Sequence, residues 1–219
     1  MSQPSEPAQP APAPSPPVKP SWTNARYAVV DVEGNGQQPP DLVEVAIVPI
    51  TDGRIGEPST WLVKPPRPIT PMARRVHQIT NEQVAGCPAV AEVADDIRAH
   101  LDPAVSVAHN AHVDLGVLTR ELPGFTPFHG VIDTLKLART LIAGQASYKL
   151  GRLVDDLALA DGLPDGLSPH RATYDALVCA RLLVHLAAPR GGVPFTLSDL
   201  LTTPAMVGGE CDEPPATLF

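Results

Sequence analysis

The sequence has few cysteines, and their pattern argues against a disulfide framework or a structural zinc centre. Only Cys87, Cys179 and Cys211 occur, and no two of them form a C-x-x-C pair. An odd number of widely spaced thiols is typical of a protein whose cysteines stay reduced. A disulfide-stabilised fold and a cysteine-based zinc site are therefore both disfavoured.

Long apolar runs are also missing. No run of 18 uninterrupted apolar residues occurs, which argues against a transmembrane helix. The N-terminus lacks a charged segment followed by an apolar one, so it shows no signal-peptide pattern. We therefore expect a cytoplasmic protein. Hydrophobic residues still make up 43% of the chain, which is enough to build a buried core.

Positive charge is scarce, because 16 Lys and Arg residues stand against 24 Asp and Glu residues, a net charge of −8. Nucleic-acid binding usually relies on a basic surface, so this balance alone argues against such a partner. The objection weakens because residues 189–219 carry a net −3 of this charge. It weakens further if some of the remaining carboxylates hold divalent cations, which would offset them.

The composition divides the chain into three segments. Eight of the first 20 residues are proline and no aliphatic pattern appears, which predicts a disordered Pro-rich tail over 1–25. Residues 26–188 carry regular apolar periodicity and are predicted to form one domain. Residues 189–219 are rich in Pro and Gly with weak periodicity, which predicts a loosely ordered C-terminal tail.

Within the domain, strands come first and helices later. Strands are predicted over 27–32, 42–50, 54–64, 105–108 and 131–133. The Asp52-Gly53 turn signal joins the second and third strands, so the first three should form an antiparallel meander. Helices are predicted from residue 71, over 88–101 and 112–122, from 134 to 141, and over 149–159 and 172–186. This order implies an α/β fold with a mixed sheet and helices packed on it.

Two carboxylates end the first predicted strand. Asp31 and Glu33 stand at positions i and i+2, so their side chains should point to the same face of the strand. Like charges held close together destabilise a fold unless a cation lies between them. Gly34 and Gly36 follow, and glycine lets a backbone turn approach a ligand closely. For this pair alone, a solvated strand end with a glycine turn is the alternative.

Asp114 and Asp175 are two further candidates. Asp114 should lie near the start of a helix at the carboxyl end of a strand, where ligands bind in open α/β sheets. The alternative is an acid favoured by the helix dipole. Asp175 should lie about one turn inside a helix, with His170 on the preceding loop. A half-buried Asp needs a partner, and a metal ion or a salt bridge with Arg171 or Arg181 would each provide one.

Considered together, the four acids indicate a metal site. All-oxygen ligands suit hard cations such as Mg²⁺ or Mn²⁺, which also bind substrate phosphates. Two such ions can serve a phosphoryl displacement.

At this point six segments resemble the DnaQ-like DEDDh exonuclease family. The motifs Asp31-Val-Glu-Gly-Asn-Gly, His109-Asn-Ala-His-Val-Asp114 and His170-Arg-Ala-Thr-Tyr-Asp175 resemble its three exonuclease motifs in order. Supporting similarities are Leu42-Val-Glu-Val-Ala, Val76-His-Gln-Ile-Thr and Asp133-Thr-Leu-Lys-Leu-Ala-Arg. The resemblance covers roughly 26–187. It implies a ribonuclease-H-like fold and a 3′→5′ exonuclease that hydrolyses terminal phosphodiesters of single-stranded DNA or RNA to nucleoside 5′-monophosphates.

The resemblance also implies roles for individual residues. Asp31, Glu33, Asp114 and Asp175 would hold two Mg²⁺ or Mn²⁺ ions, and His170 would be the general base. The substrate-binding residues it implies are Gly34, Asn35, Gly36, His77, Asn110, Val113 and Arg171.

The sequence departs from the family pattern at three places, one of which is Gln78, which follows His77 where the family has Gly. Gly34-Asn35 replaces a Thr-Thr or Ser-Thr pair, and Val113 replaces a frequent aromatic residue. Selectivity for the terminal nucleotide is therefore open, and the grip on its base is expected to be weaker.

The expected partner is the 3′ end of a single-stranded nucleic acid. Four cations before His77 suit phosphate contacts or ordinary surface charge equally well: Lys64, Arg67, Arg74 and Arg75. The C-terminal Pro215-Ala-Thr-Leu-Phe resembles peptides that dock on sliding clamps but lacks their upstream Gln, so a DNA polymerase or sliding clamp is a further candidate partner. The sequence leaves the oligomeric state open, a dimer included.

Two alternatives belong to other function classes. One is a non-catalytic adaptor that binds nucleic acid or a polymerase, and the other is a phosphodiesterase acting on small nucleotides. The complete set of four acids and one histidine argues against the adaptor. A closed pocket of dinucleotide size, compared with an open groove, would identify the phosphodiesterase. The sequence does not separate DNA from RNA.

Overall fold

The computed structural model describes residues 20–189 and 192–201. Most of the predicted Pro-rich tail and residues 202–219, with the clamp-like C-terminal peptide, lie outside the described residues. Within the described part, no helix combines the length and the apolar character that a membrane crossing requires.

One mixed sheet forms the centre of the described chain. Its strands are β1 (Tyr27–Gly34), β2 (Leu42–Thr51), β3 (Arg54–Ile55), β4 (Ser59–Leu62), β5 (Val105–Ala108) and β6 (Val131–Asp133). The strand order is β3-β2-β1-β5-β6, and β4 also pairs with β2. Strand β2 runs antiparallel to β1, whereas β5 and β6 run parallel to it. The predicted α/β fold with a meander followed by parallel strands is confirmed.

Helices follow the meander in the predicted order. They are α1 (Pro71–His77), α2 (Asn81–Val84), α3 (Val90–Leu101), α4 (His112–Glu121), α5 (Thr134–Leu141), α6 (Leu150–Leu157), α7 (Ala172–Leu186) and α8 (Leu197–Leu201). Helix α2 begins with a capping box, in which Thr80 and Gln83 satisfy each other's backbone N–H groups. Within the described residues, α8 and the short 3₁₀ helix Trp22–Asn24 fall where no helix was predicted.

The third predicted strand is wrong in one respect. Residues 54–64 form two short strands, β3 and β4, because Gly56-Glu57-Pro58 interrupts the pairing. The N–H of Gly56 still bonds to the carbonyl of Pro49 in β2 at 2.8 Å, but Pro58 has no N–H to donate, and the pairing resumes one residue out of register, with Ser59 opposite Ile47. Both short strands still pair antiparallel with β2.

Successive side chains of β1 point to opposite faces of the sheet, and this decides which of them face α7. Tyr27 and Val29 lie in the core cluster that α5, α6 and α7 cover. Asp31 and Glu33 continue the same alternation, so they point to the face that α7 covers. Val30 and Val32 point to the opposite face, where their cluster includes residues of α3 and α4.

Packing extends beyond both predicted limits of the domain. Trp22 is only 6% exposed and belongs to the core cluster on the α7 face, as does the buried Leu200 of α8. The N–H of Trp22 donates to the carbonyl of Phe195 at 3.0 Å, and Ser21 forms a β-bridge with Thr196. Residues 21–25 and 192–201 therefore pack against the domain predicted over 26–188. These segments are too short to show a periodic pattern, but they bury large apolar side chains.

Candidate active site

Three carboxylates meet where β1 ends and α7 begins. Asp31 and Glu33 come from the α7 face of β1, and Asp175 comes from the first turn of α7. One potential ligand atom from each of the three lies within 4.8 Å of the other two. Such an arrangement of hard oxygen ligands fits a divalent cation such as Mg²⁺ or Mn²⁺.

Asp114 approaches the same strand at the edge that faces β5. It lies in the first turn of α4 and is 5% exposed. Its Oδ1 accepts a hydrogen bond of 3.2 Å from the N–H of Val32, which lies beyond the last pair of β1 with β5, Val29 with Val107. Asp114 is thus outside the cluster of three, although its charge raises the pKa of both Asp31 and Glu33.

The site is strongly unfavourable for negative charge in the metal-free protein. Burial is the main cause that raises the pKa of Asp31 well above its usual range, and it also raises the pKa of Glu33, Asp114 and Asp175. The neighbouring carboxylates add to the pKa shifts of Asp31 and Glu33. A bound cation would favour the ionised forms, so this set of donors fits a metal centre.

His170 lies at the exposed edge of the cluster, on the loop before α7. Its φ is +60°, and its backbone N–H donates to Asp175 Oδ2 at 3.1 Å. The salt bridge considered for Asp175 is not formed. Arg171 pairs with Glu44, and Arg181 donates to the carbonyls of Leu159 and Asp161. Asp175 therefore keeps its position in the acidic cluster.

Glu44 is a site residue that the sequence analysis did not single out. It is 2% exposed and pairs in register with Glu33 on the neighbouring strand. Its carboxylate accepts from Arg171 Nε at 3.0 Å, from Arg171 Nη2 at 2.5 Å and from the N–H of Ala172 at 2.9 Å. The available signal was a lone acid in the middle of an apolar strand, which must have a partner if it is buried.

The predicted substrate-binding residues fall into two groups, and the side chains of the first group are buried beside the site. Asn35 and His77 are 0% exposed. Asn35 exchanges two hydrogen bonds with Asp41, at 2.7 and 2.9 Å, and His77 Nδ1 accepts from the N–H of Ile79 at 3.0 Å. Both side chains are therefore buried supports in this structure, Asn35 for the loop after β1 and His77 for the turn after α1, and their role in substrate binding stays a prediction.

The two glycines lie at the start of that loop, Gly34 as the last residue of β1 and Gly36 within the loop. Gly36 has a φ of +75°, and a Cβ there would lie 2.3 Å from Thr70 Oγ1, so glycine lets the loop pack against the start of α1. Gly34 is buried at a register shift of β1 against β2. A side chain at Gly36 would push the loop away from α1.

The second group is partly exposed beside the carboxylates. Val113 precedes Asp114 in the first turn of α4, and Asn110 has a φ of +72°. The N–H of Asn110 donates to Asp133 Oδ1 at 3.1 Å. Arg171 is also partly exposed, but its guanidinium is engaged by Glu44. Asp133, which sequence reasoning did not assign, holds the loop that leads to Asp114.

Comparison with known proteins identifies close relatives over this region. Residues 28–183 match the RNase_T family model, described as Exonuclease. Exodeoxyribonuclease 10 of Escherichia coli K12 is 36% identical over 179 residues, which cover 82% of this chain and 76% of that protein. The 3′-5′ exonuclease DinG of Bacillus subtilis is 32% identical over 182 residues, which cover 80% of this chain but 19% of that longer protein.

Solved structures agree with these matches. The structure of Exonuclease X in complex with 5′ overhanging duplex DNA superposes with a TM-score of 0.67 at 36% identity, over 81% of this chain and 98% of that one. The nuclease domain of 3′hExo, a DEDDh family member bound to rAMP, gives a TM-score of 0.61 at 14% identity, over 74% of this chain and 92% of that one. The second likeness shows the fold alone.

Proposed function

The chain belongs to the RNase_T exonuclease family and is a DEDDh-type 3′→5′ exonuclease, and from this premise we propose that it degrades DNA from the 3′ end at a metal centre built on Asp31, Glu33 and Asp175. The adaptor alternative falls with this membership, since the chain is an enzyme. The observation that carries the proposal is the convergence of the three carboxylates within 4.8 Å.

We assign the residues as follows. Asp31, Glu33 and Asp175 would hold two divalent cations, either Mg²⁺ or Mn²⁺, and Asp114 would complete the set from the β5 edge of β1. When bound, such cations stabilise the negative charge that develops on a phosphodiester during hydrolysis. Asp114 also fixes the strand end through its bond to Val32.

His170 is the proposed general base. Its side chain is exposed at the edge of the cluster, where an attacking water can reach it. The imidazole accepts a proton from this water, and the water oxygen forms a bond to the terminal phosphorus. The P–O3′ bond to the preceding nucleotide breaks and its oxygen takes up a proton. The products are a nucleoside 5′-monophosphate and a strand shortened by one nucleotide.

DNA is favoured over RNA by the relatives. The one named Exodeoxyribonuclease 10 shares 36% identity over most of this chain. Exonuclease X, at the same identity, is seen with 5′ overhanging duplex DNA. A single-stranded 3′ end, free or exposed on a duplex, is the proposed substrate. A polymerase or sliding-clamp partner and the oligomeric state stay predictions.

The experiment is a degradation assay on four end-labelled substrates: single-stranded DNA, single-stranded RNA, 5′ overhanging duplex DNA and a dinucleotide, each with Mg²⁺ or Mn²⁺. We expect a one-nucleotide ladder on DNA, abolished by Asp31→Asn and by Asp175→Asn. His170→Ala should lose a factor of about 10²–10⁴ in rate. Asp102→Asn, an exposed acid at the end of α3, is the matched control and should behave as wild type.

Each failure of this assay has a distinct meaning. Full activity of Asp31→Asn or Asp175→Asn would remove the metal centre from the proposal. A clear preference for RNA would contradict the assignment of DNA. Cleavage of the dinucleotide without a ladder on longer strands would favour the small-nucleotide phosphodiesterase.

A further inference from the structure

We propose that Glu44 and Arg171 form a clamp that positions His170, so that Arg171 serves the reaction from inside the protein and not as a contact to the substrate. The inference rests on the proposed role of His170 as the base. It assigns a positioning function to Glu44, which lies on β2, 127 residues from Arg171 in the chain.

The geometry of the clamp is specific. The two guanidinium nitrogens Nε and Nη2 of Arg171 donate to the two oxygens of Glu44, at 3.0 and 2.5 Å, which is the bidentate arrangement that fixes a planar pair most firmly. Glu44 Oε2 also accepts the N–H of Ala172 at 2.9 Å. One carboxylate therefore holds both the side chain of the N-cap residue and the first N–H group of α7.

The clamp acts on the next residue along the chain. His170 directly precedes Arg171 and has a φ of +60°, an uncommon conformation for a residue with a side chain. Its N–H bonds to Asp175 Oδ2, and the carbonyl of Arg171 accepts the N–H of Asp175 at 3.1 Å. Because Arg171 is bound to Glu44 on β2, the backbone of the neighbouring His170 is held in place beside Glu33.

Charge explains why Glu44 is not a further metal ligand. Its carboxylate points to the same face of the sheet as Glu33, its strand partner, and its charge raises the pKa of Glu33. Both oxygens of Glu44, however, are engaged by Arg171 and Ala172. The pair is neutral as a unit, so it ties β2 to α7 without adding net charge to the carboxylate cluster.

The test is a double-mutant cycle of Glu44→Gln, Arg171→Gln and the double variant, with kcat and KM measured on single-stranded DNA at saturating Mn²⁺. We expect each single variant to lose a factor on the order of 10² in kcat, as for a displaced catalytic group, with little change in KM. The double variant should lose no more than either single variant, because one clamp is removed in each case. Arg171→Lys, which keeps the charge but not the fork, should recover only part of the rate.

A second arm isolates the role of His170. In a His170→Ala background, the clamp variants should have no further effect on the residual rate, whereas a general loss of structure would lower it again. Because removing one partner of a buried ion pair can unfold a protein, the double variant, which removes both charges, supplies the folded reference, checked by thermal melting.

The following results would overturn the clamp. A rise in KM for Arg171→Gln with unchanged kcat would make Arg171 a substrate contact, as the sequence first suggested. Multiplicative losses in the double variant, or equal losses with and without His170, would also contradict it. If the wild type itself shows no activity on any substrate, the proposed function fails first, and that outcome is separate from all of these.

Discussion

At the scale of single residues, the acidic cluster predicts how stability depends on pH. In the metal-free protein, burial raises the pKa of Asp175 to about 6. An Asp in the unfolded chain titrates near pH 4. Between these two values the unfolded chain binds fewer protons than the folded protein, so the free energy of unfolding must fall as the pH rises.

We therefore expect the melting temperature measured with a chelator to decrease from about pH 4 through about pH 6 and beyond, because Asp31 and Glu33 also have raised pKa values. Added Mg²⁺ or Mn²⁺ should raise the melting temperature most at the upper end of this range. Asp31→Asn should flatten the decrease. A chelated protein that melts at the same temperature across the range would contradict the raised pKa values of these carboxylates.

At the scale of elements, Asp133 connects three segments. It ends β6 and caps α5, where its Oδ1 accepts the N–H groups of Leu135 at 3.0 Å and of Lys136 at 3.4 Å. The same oxygen accepts the N–H of Asn110, which leads into α4 and Asp114. One side chain thus fixes both a helix start and the loop that carries a proposed metal ligand.

Replacing Asp133 with Ala should lower the free energy of unfolding by about 1–3 kcal/mol, because backbone N–H groups lose their acceptor. The matched control is Asp133→Asn, which keeps an oxygen at the cap and should cost much less. Urea denaturation measures both. Equal losses for the two variants would show that the charge of Asp133, and not its capping bonds, carries the stability.

The elements also show how far sequence reasoning reaches. Strand β1 and helix α7 were predictable because each has a long apolar pattern. Their acids also stand at positions that indicate a shared site, such as Asp31 and Glu33 on one face of β1. The break between β3 and β4 is a one-residue change of register against β2, from Ile55 opposite Ile50 to Ser59 opposite Ile47, and the apolar pattern of the sequence does not reveal it. Glu44 was visible as an acid in an apolar strand, but its partner lies 127 residues away and is brought close only by the fold.

At the scale of the whole molecule, the ends of the described chain belong to its core. Trp22 is 6% exposed, and its carbonyl accepts the hydroxyl of Tyr27 at 2.6 Å. The buried Leu200 closes the same cluster from the other end. The 3₁₀ turn Trp22–Asn24 and α8 therefore act as parts of the domain, although a single large apolar residue in a Pro-rich context gave no pattern to predict them.

A chain of residues 26–188 should consequently be less stable than a chain of residues 20–201 by about 3–5 kcal/mol or more, the usual cost of removing a buried Trp with its neighbours. Urea denaturation of the two chains measures the difference, and Trp22→Ala in the longer chain is the matched single change. Equal stability of the two chains would return the limits to those predicted from sequence.

The net charge of −8 opposes the binding of DNA, which is itself a polyanion. Long-range attraction cannot do this, so local cations and bound metal ions must. Arg74 and Arg75 are exposed in the last turn of α1, which packs against the loop after β1. With Ile69, Pro71 and Asn81 they line a groove on that side of the molecule.

If this groove carries the strand, Arg74→Ala and Arg75→Ala should each raise KM on single-stranded DNA without changing kcat, because neither residue touches the carboxylates. Each should also reduce the slope of log KM against log salt by about 1, the signature of one lost phosphate contact. Arg54→Ala is the matched control, since Arg54 is exposed on β3, which pairs with β2 beside the start of β1, away from Asp31 and Glu33. An unchanged salt slope in both α1 variants would mean that the nucleic-acid strand leaves the metal centre along another path, and Lys64 would then be the next cation to replace.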